Sequence, residues 1–257
     1  MINTKNKRKS LYLALDKLDI ITKLKPLLEG GGYKLRLEDG KFVPRDPGAS
    51  YQPPWVYVKT LGSARCDIFH QVFHQLFKHI PTYCRHCYKV VVRPQNLIQL
   101  FDLYELQREI GVPCKCGIEK RATVHGLYGG YFYTRSYKEG LERYEQVRKL
   151  VDEQLDKTTP VILKRYCTEF EIGPLSLGPS DEIPPTTDEE KEWEHHILSL
   201  FPPVGFATRQ NDWQLAHVMR EWIHWAYQNG DTTYKAFTDD SPLFESYVTY
   251  HNHGGET

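Results

Sequence analysis

The sequence contains no apolar run approaching the roughly 20 residues that a helix needs to cross a bilayer, so no membrane-spanning helix and no membrane partner are expected in its 257 residues. Its basic start, Met1 to Lys9, is not followed by an unbroken apolar core, because Asp16, Lys17 and Asp19 interrupt it, so no secretory leader is expected. The familiar catalytic signatures are missing as well. No Gly-Lys-Ser/Thr follows the triple glycine at 30–32, and there is no Gly-x-Ser-x-Gly elbow and no His-Glu-x-x-His helix. Phosphate-loop nucleotide hydrolysis, serine-hydrolase chemistry and zinc-protease chemistry therefore have no sequence support. Cysteine is sparse, with six residues in the chain. Together these absences point to a cytoplasmic protein with reduced thiols.

Net charge is also absent, but only in the sum. Residues 1–150 carry 26 lysines and arginines against 14 acidic residues, a net of +12, while residues 151–257 carry 7 against 19, a net of −12. A segment of that polarity suits a polyanion at its basic end and a basic partner, or the other half of the chain, at its acidic end.

The periodicities predict a mixed α+β chain. Leu11, Leu15, Leu18, Ile21 and Leu24 follow helical spacing after Ser10, and Gly30 to Gly32 stop that helix. Tyr33–Leu37 and Lys41–Val43 flank Asp39-Gly40 as a hairpin, and Trp55–Lys59 reads as a strand. A helix over 63–80 buries Phe69, Val72, Phe73 and Phe77, and stacks Cys66, His70 and His74 along one side. Strands then follow at Tyr88–Arg93, within Cys114–Val124, at Tyr128–Arg135 and within Thr159–Phe170. Helices starting at Leu97 and at the Ser136/Glu139 capping box separate them. Strand, helix, strand, strand, helix, strand is the order of a ferredoxin-like βαββαβ core. Gly173 to Pro185 reads as a linker, and two further helices begin near Thr187 and Asn211. The expected organisation is a basic 1–80 region of helices and hairpin, a core over 81–172, and an acidic, aromatic-rich helical region over 173–257.

Four cysteines sit in two close pairs, Cys84 with Cys87 and Cys114 with Cys116. Two such pairs suit a tetrahedral thiolate site, and a structural zinc is expected there, with an iron–sulfur cluster as the alternative. In a ferredoxin-like sheet both pairs fall near the starting ends of two parallel strands, about 10 Å apart across one intervening strand. Zinc at that place clips a sheet edge and leaves no open coordination position. Cys66 and Cys167 are left over.

Alternation along Tyr128–Arg135 puts Tyr131, Tyr133 and Arg135 on one face and Phe132 on the other. With helices covering the Phe132 side, Lys89, Arg93, Arg121, Tyr131, Tyr133 and Arg135 are expected on an open face. Aromatics interleaved with basic groups there suit stacking and phosphate pairing with single-stranded nucleic acid or RNA. The RNA-recognition-motif signature itself does not match, because Gly130 and Phe132 fall at the wrong places. Binding without catalysis is the leading expectation. The rival is an adaptor that meets a protein partner through Trp213, Trp222 and Trp225. A cysteine- or metal-dependent enzyme comes third, and its discriminating feature is a concave pocket gathering Cys167 or His217 with a second titratable group.

Overall fold

β-Branched and aromatic residues dominate the segments that form the central sheet. The computed structural model describes residues 17–45, 54–59, 65–171, 185–202 and 210–243. Its strands are β1 (Tyr33–Arg36), β2 (Lys41–Pro44), β3 (Trp55–Lys59), β4 (Tyr88–Val92), β5 (Cys114–Ile118), β6 (Tyr128–Thr134) and β7 (Val161–Arg165). β1 and β2 form the expected hairpin, closed by the Arg36–Asp39 ion pair at 2.6 Å. The other five make one antiparallel sheet in the order β3-β5-β6-β4-β7. β4 and β5 thus both flank β6, and β3 extends the sheet beyond β5.

The helices are α1 (Lys17–Glu29), α2 (Cys66–Ile68), α3 (Thr82–Arg85), α4 (Leu97–Ile110), α5 (Tyr137–Gln154), α6 (Thr168–Glu171), α7 (Asp188–Ser199) and α8 (Asp212–Gln228). Local chemistry sets their ends. Asn96, Ser136, Thr187 and Asn211 each accept a backbone N–H of the first turn. At Ser136 the cap is one-sided, because the Glu139 carboxylate accepts from Arg135 N rather than completing a box. Gly111 closes α4 with φ of 63°, a conformation that glycine adopts without a Cβ penalty. The first expected helix is described only from Lys17, and the 173–184 part of the expected linker lies outside the described residues. No helix among the described residues is long and apolar enough to cross a membrane.

Period-two alternation divides the sheet into two very different faces. Val56, Val90, Val92, Cys114, Cys116, Tyr128 and Phe132 point into a core closed by α4, α5 and α8. A second buried cluster joins α1, the 68–80 segment and α7, through Leu24, Phe42, Phe73, Ile80, Phe170, Trp193 and Phe201. Between this second cluster and the sheet lies the other face, carrying Trp55, Tyr57, Lys115, Tyr131, Tyr133 and Lys89. The register puts Lys115 directly between Tyr57 and Tyr131, and Lys89 directly between Tyr133 and Lys164.

Two departures from regular structure shape that face. The helix expected over 63–80 gives way at Phe69–His74 to a wide turn, with Gln75 N bonded to His70 O at 3.0 Å and Phe77 N to Val72 O at 3.1 Å. Wider i to i+5 turns recur at functional sites because they re-aim side chains. The strand expected to reach Phe170 stops at Arg165, where Tyr166 takes φ of 66° and turns Cys167 back over the sheet. A left-handed, bulky, buried residue is costly and persists only when its surroundings enforce it. Here Tyr166 N is held by Cys87 O at 3.0 Å.

Helix α4 approaches the sheet closely at Gly130, where an added Cβ would sit 2.4 Å from Leu103 Cδ2 and 3.2 Å from Gln107 Nε2. Gly130→Val should therefore overpack this junction and lower stability by about 1–3 kcal/mol. Urea unfolding checks this: the midpoint should fall at unchanged slope, and an unmoved midpoint would show that Leu103 gives way freely.

Candidate functional site

A cavity of about 510 Å³ lies over the sheet face opposite α4, α5 and α8, walled by the 66–71 segment, Tyr83–Cys87 and Cys167–Phe170. Each wall follows from an element already described. The wide turn presents His70, which stacks on Phe170 at 4.8 Å between ring centroids. The left-handed Tyr166 presents Cys167. Lys89 rises from the middle of β4 and donates from Nζ to Cys167 Sγ at 3.1 Å. Donor atoms of His70, Cys167 and Glu169 all fall within 4.8 Å of one another.

The charges in this cluster support each other. Burial alone would push the Cys167 thiol up, but the Lys89 ammonium and the hydrogen bond from His70 outweigh it and bring it down to about 6. Burial opposes charge on His70 too, yet the Cys167 hydrogen bond and the neighbouring Cys167 and Glu169 charges raise it. Lys89 follows the same pattern: burial is outweighed chiefly by the Cys167 sulfur, through its charge and its hydrogen bond, and the amine is held above the ordinary lysine range. The Lys89 ammonium and the His70 ring thus both favour the ionised form of Cys167, and Glu169 lies within the same cluster. Burial disfavours the Glu169 carboxylate, but a backbone hydrogen bond, His70 and Arg121 lower it.

A second network lies at the rim. Glu119, itself buried, accepts from Arg121 at 2.6, 2.8 and 3.1 Å and from the Tyr131 hydroxyl at 3.1 Å, and pairs with Arg93 at 3.6 Å. Arg121 also reaches Glu169 at 3.2 Å. Arg93 and Arg121 thereby share one carboxylate and order the Tyr131 ring.

The six residues expected on an open nucleic-acid face are distributed differently. Tyr131 and Lys89 are each only 5% exposed, and Tyr133 lines the cavity. Arg93 and Arg121 are engaged by Glu119, and Arg135 stacks over Tyr83 at 3.5 Å. Five of them share the predicted face or its rim, but the face is a cavity floor, because the 65–85 and 166–171 segments fold over it. Single-sequence alternation finds the face and cannot see what covers it.

The four cysteines expected to share a zinc are not brought together. Cys114 and Cys116 are two residues apart on a strand, so both thiols point into the core beneath α4, where Cys114 Sγ faces Gln107 O at 3.8 Å. Cys84 belongs to the second cluster, on the other side of the sheet, and Cys87 lines the cavity with it. Burial pushes Cys114 up to about 12 and Cys116 and Cys84 well above the ordinary thiol range. The sheet itself separates the two pairs.

Two other donor groups have metal-ligand composition. In the Cys167, His70 and Glu169 set, the Lys89 ammonium already occupies the sulfur's charge partner position, which opposes a cation. In the buried His79, Glu190 and Glu194 set, Arg85 pairs with Glu190, and Glu194 Oε1 accepts from His79 at 2.6 Å and from Thr82 N and Oγ1 at 2.9 and 3.1 Å. That group ties α7 to the 79–85 segment. Of the tryptophans expected to meet a protein, Trp213 is 73% exposed and stacks on His217, whereas Trp222 is fully buried against Phe101 with its indole N–H on Pro54 O at 2.9 Å. Trp222 is core, and Trp225 is half-buried.

Sequence reasoning passed over Lys115 and separated His70 from Cys167. The signals were weak but present: a lysine between two inward-facing cysteines must face the other way, and Cys167 stood beside Glu169. The chain matches no protein-family model, no curated protein and no solved structure.

Removing the carboxylate that Arg93, Arg121 and Tyr131 share should be costly. Glu119→Ala is expected to lower stability by about 2–4 kcal/mol, the lower end reflecting that Arg121 can rehydrate. Thermal unfolding at moderate and high salt measures it, and a loss below about 1 kcal/mol, roughly a fivefold change in the folding constant, would mean the network is dispensable.

Proposed function

We propose that the cavity is the active site of a cysteine-dependent enzyme of the acyl-transfer or hydrolytic kind, with Cys167 as nucleophile. The observation that carries this reading is the Cys167 sulfur held at 3.1 Å by the buried Lys89 ammonium inside a cavity that also holds His70. A thiolate is the nucleophilic form of cysteine, and one stabilised near neutral pH by adjacent cations is suited to covalent catalysis. In the proposed cycle Cys167 attacks a carbonyl carbon and forms the C–S bond. The leaving oxygen or nitrogen departs with a proton from the His70 imidazolium. Neutral His70 then takes a proton from water as that water attacks the thioester, which releases the acid and restores the thiolate and imidazolium. Glu169 orients and stabilises His70 throughout, and Lys89 is the nearest cation to charge developing on the carbonyl oxygen.

The strand order β5-β6-β4-β7, with α4 and α5 on one face, supports a ferredoxin-like core with β3 added at its β5 edge. Nucleic-acid binding is supported less well. A strand needs an accessible platform, and this floor admits only a ligand small enough to enter, such as a single nucleotide unit. Zinc would have to bind the cavity thiols and His70 in place of the four cysteines expected from spacing.

The test is site-resolved alkylation with iodoacetamide. Cys167 should react fastest of the six cysteines, with a midpoint near pH 6, so that its rate rises between about pH 5 and 7 and then levels, whereas an ordinary thiol climbs through about pH 8.5. Lys89→Met should move that midpoint upward by at least about one unit, since it removes the nearest opposite charge. A Cys167 that reacts no faster than Cys66, or stoichiometric zinc that survives dialysis and blocks Cys167, would overturn the reading.

A further inference from the structure

Among the described residues, the lysines and arginines that line the cavity are matched to anions, Lys115 excepted. Lys89 is paired with Cys167, Arg93 and Arg121 with Glu119, Lys164 with Glu171 at 2.6 Å, and Lys120 with Glu221 at 3.9 Å. Lys115 has no ion pair among the described residues. Its ammonium is instead surrounded by rings, 4.4 Å from the centroid of Trp55, 5.5 Å from Tyr57 and 5.6 Å from Tyr131. Ring faces attract a cation, but they do not neutralise it as a carboxylate would. Trp55, Tyr131 and Lys115 line the same cavity as Cys167.

Strand register explains why Lys115 stands where it does. It lies between Cys114 and Cys116, whose side chains enter the α4 side, so Lys115 must project from the cavity side, directly between Tyr57 and Tyr131. Burying an ammonium without a counter-ion is unfavourable, and an anion entering the cavity relieves that penalty. Burial, reinforced by the nearby Lys89 charge, outweighs the Cys167 and Cys66 charges and brings the Lys115 amine down to about 8.

We infer that Lys115 is the anion-binding subsite of this cavity, and that the substrate is a small molecule carrying a carboxylate or phosphate group together with the electrophilic carbon presented to Cys167. The inference rests on Cys167 being the reacting group. A volume of about 510 Å³ suits a ligand of metabolite size rather than a polymer. The aromatic surround excludes water from the ion pair, which strengthens it relative to a surface contact.

Iodoacetate and iodoacetamide test this directly, because they deliver nearly the same electrophilic carbon with and without a negative charge. In the wild-type protein Cys167 should react with iodoacetate at least about tenfold faster than with iodoacetamide, with saturation, since a positive cleft concentrates anions. Inorganic phosphate should slow the iodoacetate reaction and leave the iodoacetamide reaction unchanged. Lys115→Met should bring the ratio of the iodoacetate rate to the iodoacetamide rate down to about one, and Lys115→Arg should keep most of the preference. No preference in the wild type, or a preference that survives Lys115→Met, would overturn the subsite. If Lys115→Met fails to fold, phosphate protection and the Lys115→Arg preference decide, and the absence of both counts against it. A Cys167 inert to iodoacetamide in every form would instead bring down the nucleophile on which the subsite depends.

Discussion

A lysine in the middle of a central strand is hard to accommodate, and much of this structure follows from how Lys89 is accommodated. Its ammonium emerges from β4 onto a face that the 65–85 and 166–171 segments close over, away from water. An uncompensated charge there would be prohibitive. The compensation is the Cys167 sulfur at 3.1 Å, and that contact makes two local irregularities intelligible. Strand β7 must stop short and pass through the left-handed Tyr166 so that Cys167 turns inward. The helix before α3 must widen so that His70, stacked on Phe170, meets the same sulfur. Each irregularity would be unfavourable alone, and together they assemble one ion cluster.

The sheet keeps this chemistry apart from the part of the fold that supplies stability. On one face α4, α5 and α8 bury an apolar layer that includes Cys114 and Cys116, whose thiols burial pushes up. On the other face buried polar groups are arranged in closed sets. Glu119 gathers Arg93, Arg121 and Tyr131 at the rim, while Glu190 and Glu194 gather Arg85, His79 and Thr82 where α7 docks. Such sets are specific as well as stabilising, because each member leaves a buried partner unsatisfied if it moves. Among the described lysines and arginines that line the cavity, Lys115 is the one surrounded by rings with no ion pair, and the proposed subsite follows from that difference.

A covered face also changes what kind of ligand is reasonable. Tyrosines alternating with cations on an open sheet present a long, flat, repeated surface, whereas the same residues under a roof present a bounded volume with one direction of approach. The chemistry of the residues is unchanged, but the concave form favours a small molecule over a strand.

Much of the fold was legible along the chain. Alternation placed Phe132 against Val90 and Val92 and placed Tyr131 and Tyr133 on the opposite side. Capping residues marked α5, α7 and α8, apolar spacing marked α4, and Asp39-Gly40 marked the hairpin. These are consequences of spacing and of local hydrogen bonds, so a single sequence carries them. The sequence also determined which residues were available for chemistry: Lys89 and Lys115 on the Tyr131 face, Cys167 beside Glu169, and His70 beyond Cys66. Only the tertiary structure decided which of them meet. Cys84 and Cys87 are separated from Cys114 and Cys116 by the thickness of a sheet, although their spacing along the chain suggested a common metal. His70 and Cys167, nearly a hundred positions apart, come together because two segments fold over the face. Sequence spacing reports direction and periodicity within one element, but which element lies on top of which is set by packing across the whole chain.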